Sequence, residues 1–263
     1  MTLEPQQRDA VIAIARKAAA AILAVYESEF AIQQKDDRSP LTAADLAAHR
    51  CIVEGLAALT PDIPVLSEES AAVDIAGRRR WRTFWLVDPL DGTREFIKRN
   101  GEFTVNIALV EDGIASFGVI QQPVSGGLWH GAPGHGAFRR NGATDIEIRA
   151  RIPAPEPLRI AASRSHRDAR TQAMLDALPG SEVVGCGSSL KFCRLAEGAL
   201  DLYPRFGPTS EWDTAAGQAI LEAAGGAVLD LQGRPFRYNQ RQTLLNGDFL
   251  AMGDPALRAR LPA

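Results

Sequence analysis

Five acidic residues stand out by placement: Asp45, Glu68, Asp88, Asp91 and Asp213. The sharpest grouping is Val87-Asp88-Pro89-Leu90-Asp91-Gly92-Thr93. Asp88 closes a short apolar run, Thr83-Phe84-Trp85-Leu86-Val87, that reads as a buried strand. Pro89 has no N–H to give, so the ladder is expected to stop there. A carboxylate at the end of a buried strand must be hydrogen-bonded or hold a cation, because burying a bare charge is costly. Two such groups across a tight turn can point at one spot and make a hard, all-oxygen site suited to Mg²⁺. The Leu90 carbonyl, exposed by the turn, offers a further oxygen. Gly92 lets a ligand approach the backbone. The N–H groups beyond it open a short helix, Thr93 to Ile97, able to receive a phosphate.

Each acid also has a plain structural explanation. Asp-Pro-Leu-Asp-Gly-Thr is rich in turn formers. Glu68 and Glu69 read as exposed acids after a strand. Asp213 fits the first turn of a helix, where the dipole favours a negative charge. Thr42-Ala43-Ala44-Asp45 is a capping-box pattern. The weight lies on the set, not on any member.

The elements that must position these acids follow from periodicity. A helix is expected over 4–26, with apolar residues at Val11, Ala15, Ala18, Ile22 and Val25. The polar stretch 33–40 breaks that pattern. A second helix is expected over 42–59, capped by Thr42 and packing through Leu46, Val53 and Leu56. A short strand follows at 64–67, and Arg78-Arg79-Arg80-Trp81-Arg82 reads as a solvated loop. Strands 103–110 and 115–123 flank Asp112-Gly113 as a hairpin, and Asn141-Gly142 marks another. Prolines 153, 155 and 157 make a stiff segment, taken as the boundary between domains 1–152 and 153–263. Beyond it, strands at 158–163, 182–185 and 201–206 alternate with helices at 168–178, 189–200 and 213–226. Residues 227–231 are the final strand expected.

Composition narrows the class. The chain has 263 residues, 46% hydrophobic and 23% charged, which fits a folded globular protein of one or two domains. A formal net charge of −3 gives no basic excess for nucleic acid or an anionic membrane. No apolar run approaches the roughly 20 residues of a membrane span, and the first residues show no export signal. Cys51, Cys186 and Cys193 make no closed disulfide framework and no zinc-type pair, so a reducing, cytoplasmic setting is expected. Only four of the 29 basic side chains are lysines: Lys17, Lys35, Lys98 and Lys191.

Taken in order, the motifs resemble the inositol monophosphatase superfamily of metal-dependent, lithium-sensitive phosphatases. They are Ser39-Pro40-Leu41-Thr42-Ala43-Ala44-Asp45, Ser67-Glu68-Glu69-Ser70, Asp88-Pro89-Leu90-Asp91-Gly92-Thr93 and Trp212-Asp213-Thr214-Ala215-Ala216-Gly217. The run from Asp88 to Asn106 is similar to the CysQ branch, the 3′(2′),5′-bisphosphate nucleotidases. So are Ser163-Arg164-Ser165-His166, Gly187-Ser188-Ser189-Leu190-Lys191-Phe192-Cys193 and Tyr203-Pro204-Arg205-Phe206-Gly207-Pro208-Thr209. The resemblance implies a layered αβαβα sandwich, with a larger N-terminal α+β part and a smaller C-terminal α/β part that sets substrate choice.

It also implies release of the 3′-phosphate of adenosine 3′,5′-bisphosphate, giving AMP, with the sulfated relative of that nucleotide as a further substrate. Two or more Mg²⁺ ions are implied, with Glu68, Asp88, the Leu90 carbonyl, Asp91 and Asp213 as ligands and Asp88 bridging. Thr93 would orient the attacking water and Asp45 would take its proton, while Glu69 acts behind the ligands or through water. The remaining phosphate needs donors away from the metals. Lys191 and Arg205 are the candidates, with Ser188 and His166 as polar contacts and Gly92 at the phosphate. A peripheral place at the cytoplasmic face of the inner membrane is left open by the resemblance.

Rival readings are weaker on the residues. The Asp-x-Asp-Gly-Thr motif of haloacid-dehalogenase-type phosphatases has one residue between its acids, whereas here there are two. Ser188-Ser189-Leu190-Lys191 matches the S-x-x-K of acyl-transferring enzymes, but the partner motifs are absent. Inositol monophosphate or fructose 1,6-bisphosphate as substrate, and a non-catalytic metal- or nucleotide-binding module, are the alternatives that activity assays separate.

Overall fold

The computed structural model describes residues 3–29, 31–34, 40–70, 77–163 and 169–261. Two helices open the chain. The first, α1 (Pro5–Tyr26), starts with proline at its first turn and a reciprocal cap between Glu4 and Gln7. It buries Val11, Ile12, Ala15, Ala18, Ala19 and Ile22. A two-stranded antiparallel ribbon follows, β1 (Ile32–Gln34) with β2 (Pro40–Thr42), in the stretch expected to be irregular. The next helix, α2 (Ala43–Leu59), is capped by Thr42. Its buried stripe is Ala44, Ala48, Ile52 and Leu56, a strict four-residue repeat. Leu46 is 38% exposed and Val53 only half-buried, so the packing face expected through those two is rotated.

The large sheet has seven strands in chain order: β3 (Val65–Ser67), β4 (Thr83–Asp91), β5 (Thr104–Glu111), β6 (Ile114–Gln121), β7 (Leu128–Ala132), β8 (Gly136–Asn141) and β9 (Thr144–Ile148). β3 pairs parallel with β4, and all later neighbours are antiparallel. The two-residue turn Asp112-Gly113 has φ of 48° and 81°, as a tight hairpin twisting with its strands requires. The second predicted hairpin also forms, with Asn141 opposite Thr144. Strand alternation sorts the core: Trp85 and Val87 face α1 and α2, while Phe84 and Leu86 face the opposite side.

On that opposite side lie α5 (Leu190–Ala196) and α6 (Glu211–Ala223), covered in turn by a five-stranded sheet. Its strands are β10 (Arg159–Ser163), β11 (Glu182–Cys186), β12 (Leu202–Arg205), β13 (Ala227–Asp230) and β14 (Phe249–Met252), in the order β11-β10-β12-β14-β13. Sequence reading ended at 227–231 and missed β14, a run of four apolar residues too short for periodicity to identify. α4 (Ala169–Asp176) and a 3₁₀ turn (Pro255–Arg260) cover its outer face through Met174, Leu175 and Leu257. The result is the αβαβα sandwich of alternating helical layers and sheets.

α6 sits so close to the large sheet that a Cβ on Gly118 would lie 2.3 Å from the Ala216 carbonyl oxygen. Small residues on both surfaces permit that approach, which fixes the start of α6 over the end of β4. The arginine run at 78–82 is solvated at Arg79, Arg80 and Arg82, as expected, but not at Arg78. Arg78 is 1% exposed in a 3₁₀ turn and donates to Asn239 Oδ1 and to the carbonyls of Arg241 and Gln242. Its partners lie some 160 residues on, so no local pattern reveals them. Among the described residues, no helix is long and apolar enough to cross a membrane.

Candidate active site

β4 does not end at Pro89 as expected. It continues to Asp91 with a register shift: Asp88 pairs with Asn106 and Asp91 with Thr104. One extra residue is therefore held on β4, a β-bulge. Side chains alternate along a strand, so residues three apart face opposite ways. The bulge restores the parity and turns Asp88 and Asp91 to the same face, toward α6. Leu90 N–H closes the turn onto Asp88 Oδ1 at 3.0 Å. Gly92, at φ 91°, then reverses the chain into α3 (Thr93–Ile97). A Cβ there in ordinary conformation would crowd the Glu102 carbonyl and Ser188.

Asp213 arrives from the first turn of α6. One carboxylate of Asp88, Asp91 and Asp213 each lies within 4.8 Å of the other two. Asp213 also accepts from Ser210 N at 2.8 Å, so the capping role and the place in the cluster coexist. Asp91 Oδ2 accepts from Ser189 N at 2.6 Å and from Asn106 Nδ2 at 3.5 Å. Asn106 Oδ1 in turn receives the Ser189 hydroxyl at 2.7 Å. Sequence reasoning assigned no role to Asn106 or Ser189; only the fold brings them to Asp91.

Asp88 is buried, and Asp91 and Asp213 are half-buried beside it. Burial pushes the Asp88 carboxyl well above the usual range, and Glu68, Asp91 and Asp213 push it further. Burial also raises Asp91, against the pull of Lys191 and the Ser189 N–H. Asp213 is pushed up to about 8 by burial first and then by Asp91. An all-oxygen, half- to fully buried, mutually repelling set of carboxylates is the donor chemistry that a hard divalent cation stabilises.

Thr93 and Asp45 stand beside the cluster. Asp45 Oδ2 accepts the N–H and the hydroxyl of Thr42, at 2.8 and 2.7 Å. Its other oxygen, Oδ1, lies 3.4 Å from Thr93 Oγ1, which is also 3.3 Å from the Leu90 carbonyl.

A cavity of about 320 Å³ opens over these groups. Glu68, Asp88, Leu90, Asp91, Gly92, Thr93, Ser188, Lys191, Arg205 and Asp213 are all among the residues that line it. Ten of the thirteen residues singled out from the sequence thus share one space, and Glu69 is not among the residues that line it. Asp45 reaches it through Thr93, and His166 lies outside the described residues. Lys191 is not a solvated helix residue. It is buried, donates to the carbonyls of Cys186 and Ser188 at 3.1 and 2.6 Å, and lies 5.1 Å from the Tyr203 ring centre. Burial lowers its pKa. Ser188 has φ 44°, and among the described residues its buried hydroxyl and Arg205 Nε have no hydrogen-bond partner. Arg205 Nη2 donates to the Pro208 carbonyl at 2.8 Å.

The sequence pattern of the Inositol monophosphatase family matches residues 5–259. The chain belongs to the inositol monophosphatase family. Within it, the 3′(2′),5′-bisphosphate nucleotidase CysQ of Escherichia coli K12 is 49% identical over 246 residues, 92% of this chain and 97% of that one. CysQ of Haemophilus influenzae is 35% identical over 256 residues, covering 97% and 95%. The crystal structure of CysQ from Bacteroides thetaiotaomicron superposes with a TM-score of 0.78 at 43% identity, over 92% of this chain and 95% of that one. An inositol monophosphatase from Thermotoga maritima, at 23% identity and a TM-score of 0.82 over 97% and 94%, shares the family fold.

Proposed function

We propose that this chain is a Mg²⁺-dependent 3′(2′),5′-bisphosphate nucleotidase that hydrolyses adenosine 3′,5′-bisphosphate to AMP and phosphate. The carrying observation is the convergence of Asp88, Asp91 and Asp213 beside the Thr93–Asp45 pair. The relatives named CysQ, at up to about half identity over nearly the whole chain, support the substrate class.

Asp88, Asp91 and Asp213, with Glu68 and the Leu90 carbonyl, would hold two or more Mg²⁺ ions. Bound there, the ions supply charge neutralisation and Lewis acidity at the phosphoryl oxygens. The protein's own groups handle the proton. The Thr93 hydroxyl is held between Asp45 Oδ1 and the Leu90 carbonyl, so its lone pairs face the cavity and orient a water. Asp45, anchored through its other oxygen by Thr42, accepts the proton released there. A threonine alone is too weak a base for this step.

Arg205 and Lys191, which line the same cavity, would give positive potential for a second phosphate. Lys191 commits two of its three donors to the loop 186–188 and so also holds Ser188 in place. This cationic wall favours a bisphosphate over a singly phosphorylated inositol. The three cysteines are free, in keeping with the cytoplasmic setting expected from their number.

The test is a phosphate-release panel with adenosine 3′,5′-bisphosphate, its 2′,5′ isomer, its sulfated relative, inositol phosphates and fructose 1,6-bisphosphate, with Mg²⁺ and with chelator. The adenosine bisphosphates should give the highest kcat/KM, and the chelator should abolish release. Equal rates on the sugars would overturn the nucleotide assignment.

A further inference from the structure

The segment 208–214 carries Asp213 and forms part of the cavity wall, and a side chain from a distant loop holds it. Asn246 N donates to the Thr209 carbonyl at 2.8 Å. Asn246 Nδ2 lies 2.7 Å from the Ser210 carbonyl and 3.1 Å from the hydroxyls of Thr209 and Thr214. The orientation of that amide is fixed at its other end. Asn246 Oδ1 is 3.0 Å from Arg241 Nη2, and a guanidinium can only donate. The NH₂ group therefore faces Thr209, and an amide nitrogen cannot accept.

The consequence falls on the polarity of Thr209. Its oxygen can only accept from Asn246 Nδ2, whose two hydrogens also serve the Ser210 carbonyl and Thr214, and cannot return a hydrogen bond to it. Among the described residues its own proton meets no acceptor. Thr214, by contrast, gives its proton to the Glu211 carbonyl at 3.2 Å. Thr209 lines the cavity next to Pro208, whose carbonyl is held by Arg205. A hydroxyl whose lone pair is engaged, set beside a guanidinium, presents a donor to an oxyanion.

We propose that the Thr209 hydroxyl donates a hydrogen bond to the second phosphate of the nucleotide bisphosphate, with its direction set by Asn246 and Arg241. Thr209 is then a specificity-determining residue, and Asn246 a positioning residue that acts through it. This inference rests on the nucleotidase reading above.

The experiment is steady-state kinetics on adenosine 3′,5′-bisphosphate and on adenosine 3′-monophosphate, which lacks the second phosphate. Thr209→Val keeps the shape and removes the donor. It should raise KM for the bisphosphate about tenfold, as loss of a charge-assisted hydrogen bond does, and for the monophosphate less than about twofold. Thr209→Ser keeps the donor and should restore KM to within about threefold of wild type. Asn246→Ala removes the donor that faces the Thr209 oxygen, frees its rotation and should reproduce the loss selective for the bisphosphate. If Thr209→Val does not fold, as judged by circular dichroism, Thr209→Ala carries the same comparison. Equal KM changes on both substrates, or none on either, would overturn the proposal. Failure of the nucleotidase reading is seen separately, in wild type that releases phosphate from the bisphosphate no faster than from inositol 1-phosphate, and the proposal falls with it.

Discussion

Thr93 Oγ1 lies 3.4 Å from Asp45 Oδ1, although 48 residues and a layer of the fold separate them. Asp45 is 2% exposed, and its other oxygen is already taken by Thr42. On the function proposed above, the pair passes a proton. Asp45→Asn should lower kcat by about 10²–10⁴ with little change in KM, because a general base contributes about that factor. Thr93→Val should behave alike, and the double variant should be no worse than either single one. Rapid-quench measurement of the chemical step checks this, and additive losses would separate the two roles.

The clustered acids carry a pH signature. Asp213 titrates near pH 8 when no cation is bound, above the ordinary 3.8. A carboxyl raised in the folded state contributes stability that is full below its unfolded pKa and lost as pH rises through the folded value. Chelator-treated protein should therefore lose thermal stability between about pH 4 and pH 8. Asp213→Asn should flatten that slope, and added Mg²⁺ should raise Tm more at pH 8 than at pH 5. Calorimetric scans at fixed ionic strength test it; parallel curves for wild type and variant would refute it.

Arg205 and Lys191 should separate on two readouts. Arg205 lines the cavity, so Arg205→Met should raise KM for the bisphosphate about 10- to 100-fold with Tm nearly unchanged. Lys191 is buried and satisfies two carbonyls, so Lys191→Met should lower stability by about 1–3 kcal/mol as well as weaken binding. Urea denaturation alongside kinetics distinguishes them.

Arg78→Ala should be costly for the fold. It strands Asn239 Oδ1 and two carbonyls in the interior, at about 2 kcal/mol or more. Asn239 N–H also meets Glu211 Oε2 at 2.8 Å, so the loss reaches the start of α6 and thus Asp213. Arg78→Lys should not rescue it, since one ammonium cannot reproduce the fork. A variant as stable as wild type in urea would contradict this placement.

Asp45, Asp88 and Asp213 each have a partner two or three residues away, whereas those of Asp91 come from other elements. Asp45 and Asp213 each read as a cap, and each does cap, while its place beside Thr93 or Asp88 comes only from the fold. That Asp88 and Asp91 share a face depends on a bulge, which sequence alternation alone would have denied. Arg78, Asn106 and Thr209 were out of reach for one reason. Each is defined by hydrogen bonds to side chains or carbonyls far along the chain, and a lone arginine, asparagine or threonine carries no periodic trace of such a partner. Leu46 misled because its size suggested a core face that the smaller Ala44 and Ala48 provide.

The most direct measurement is anomalous diffraction from crystals soaked in Mn²⁺ at the manganese edge. At least one peak should lie within coordination distance of Asp88, Asp91 and Asp213 together, and Asp91→Asn should abolish or weaken it. A well-ordered crystal with those three carboxylates in place and no peak among them would contradict the account at its centre.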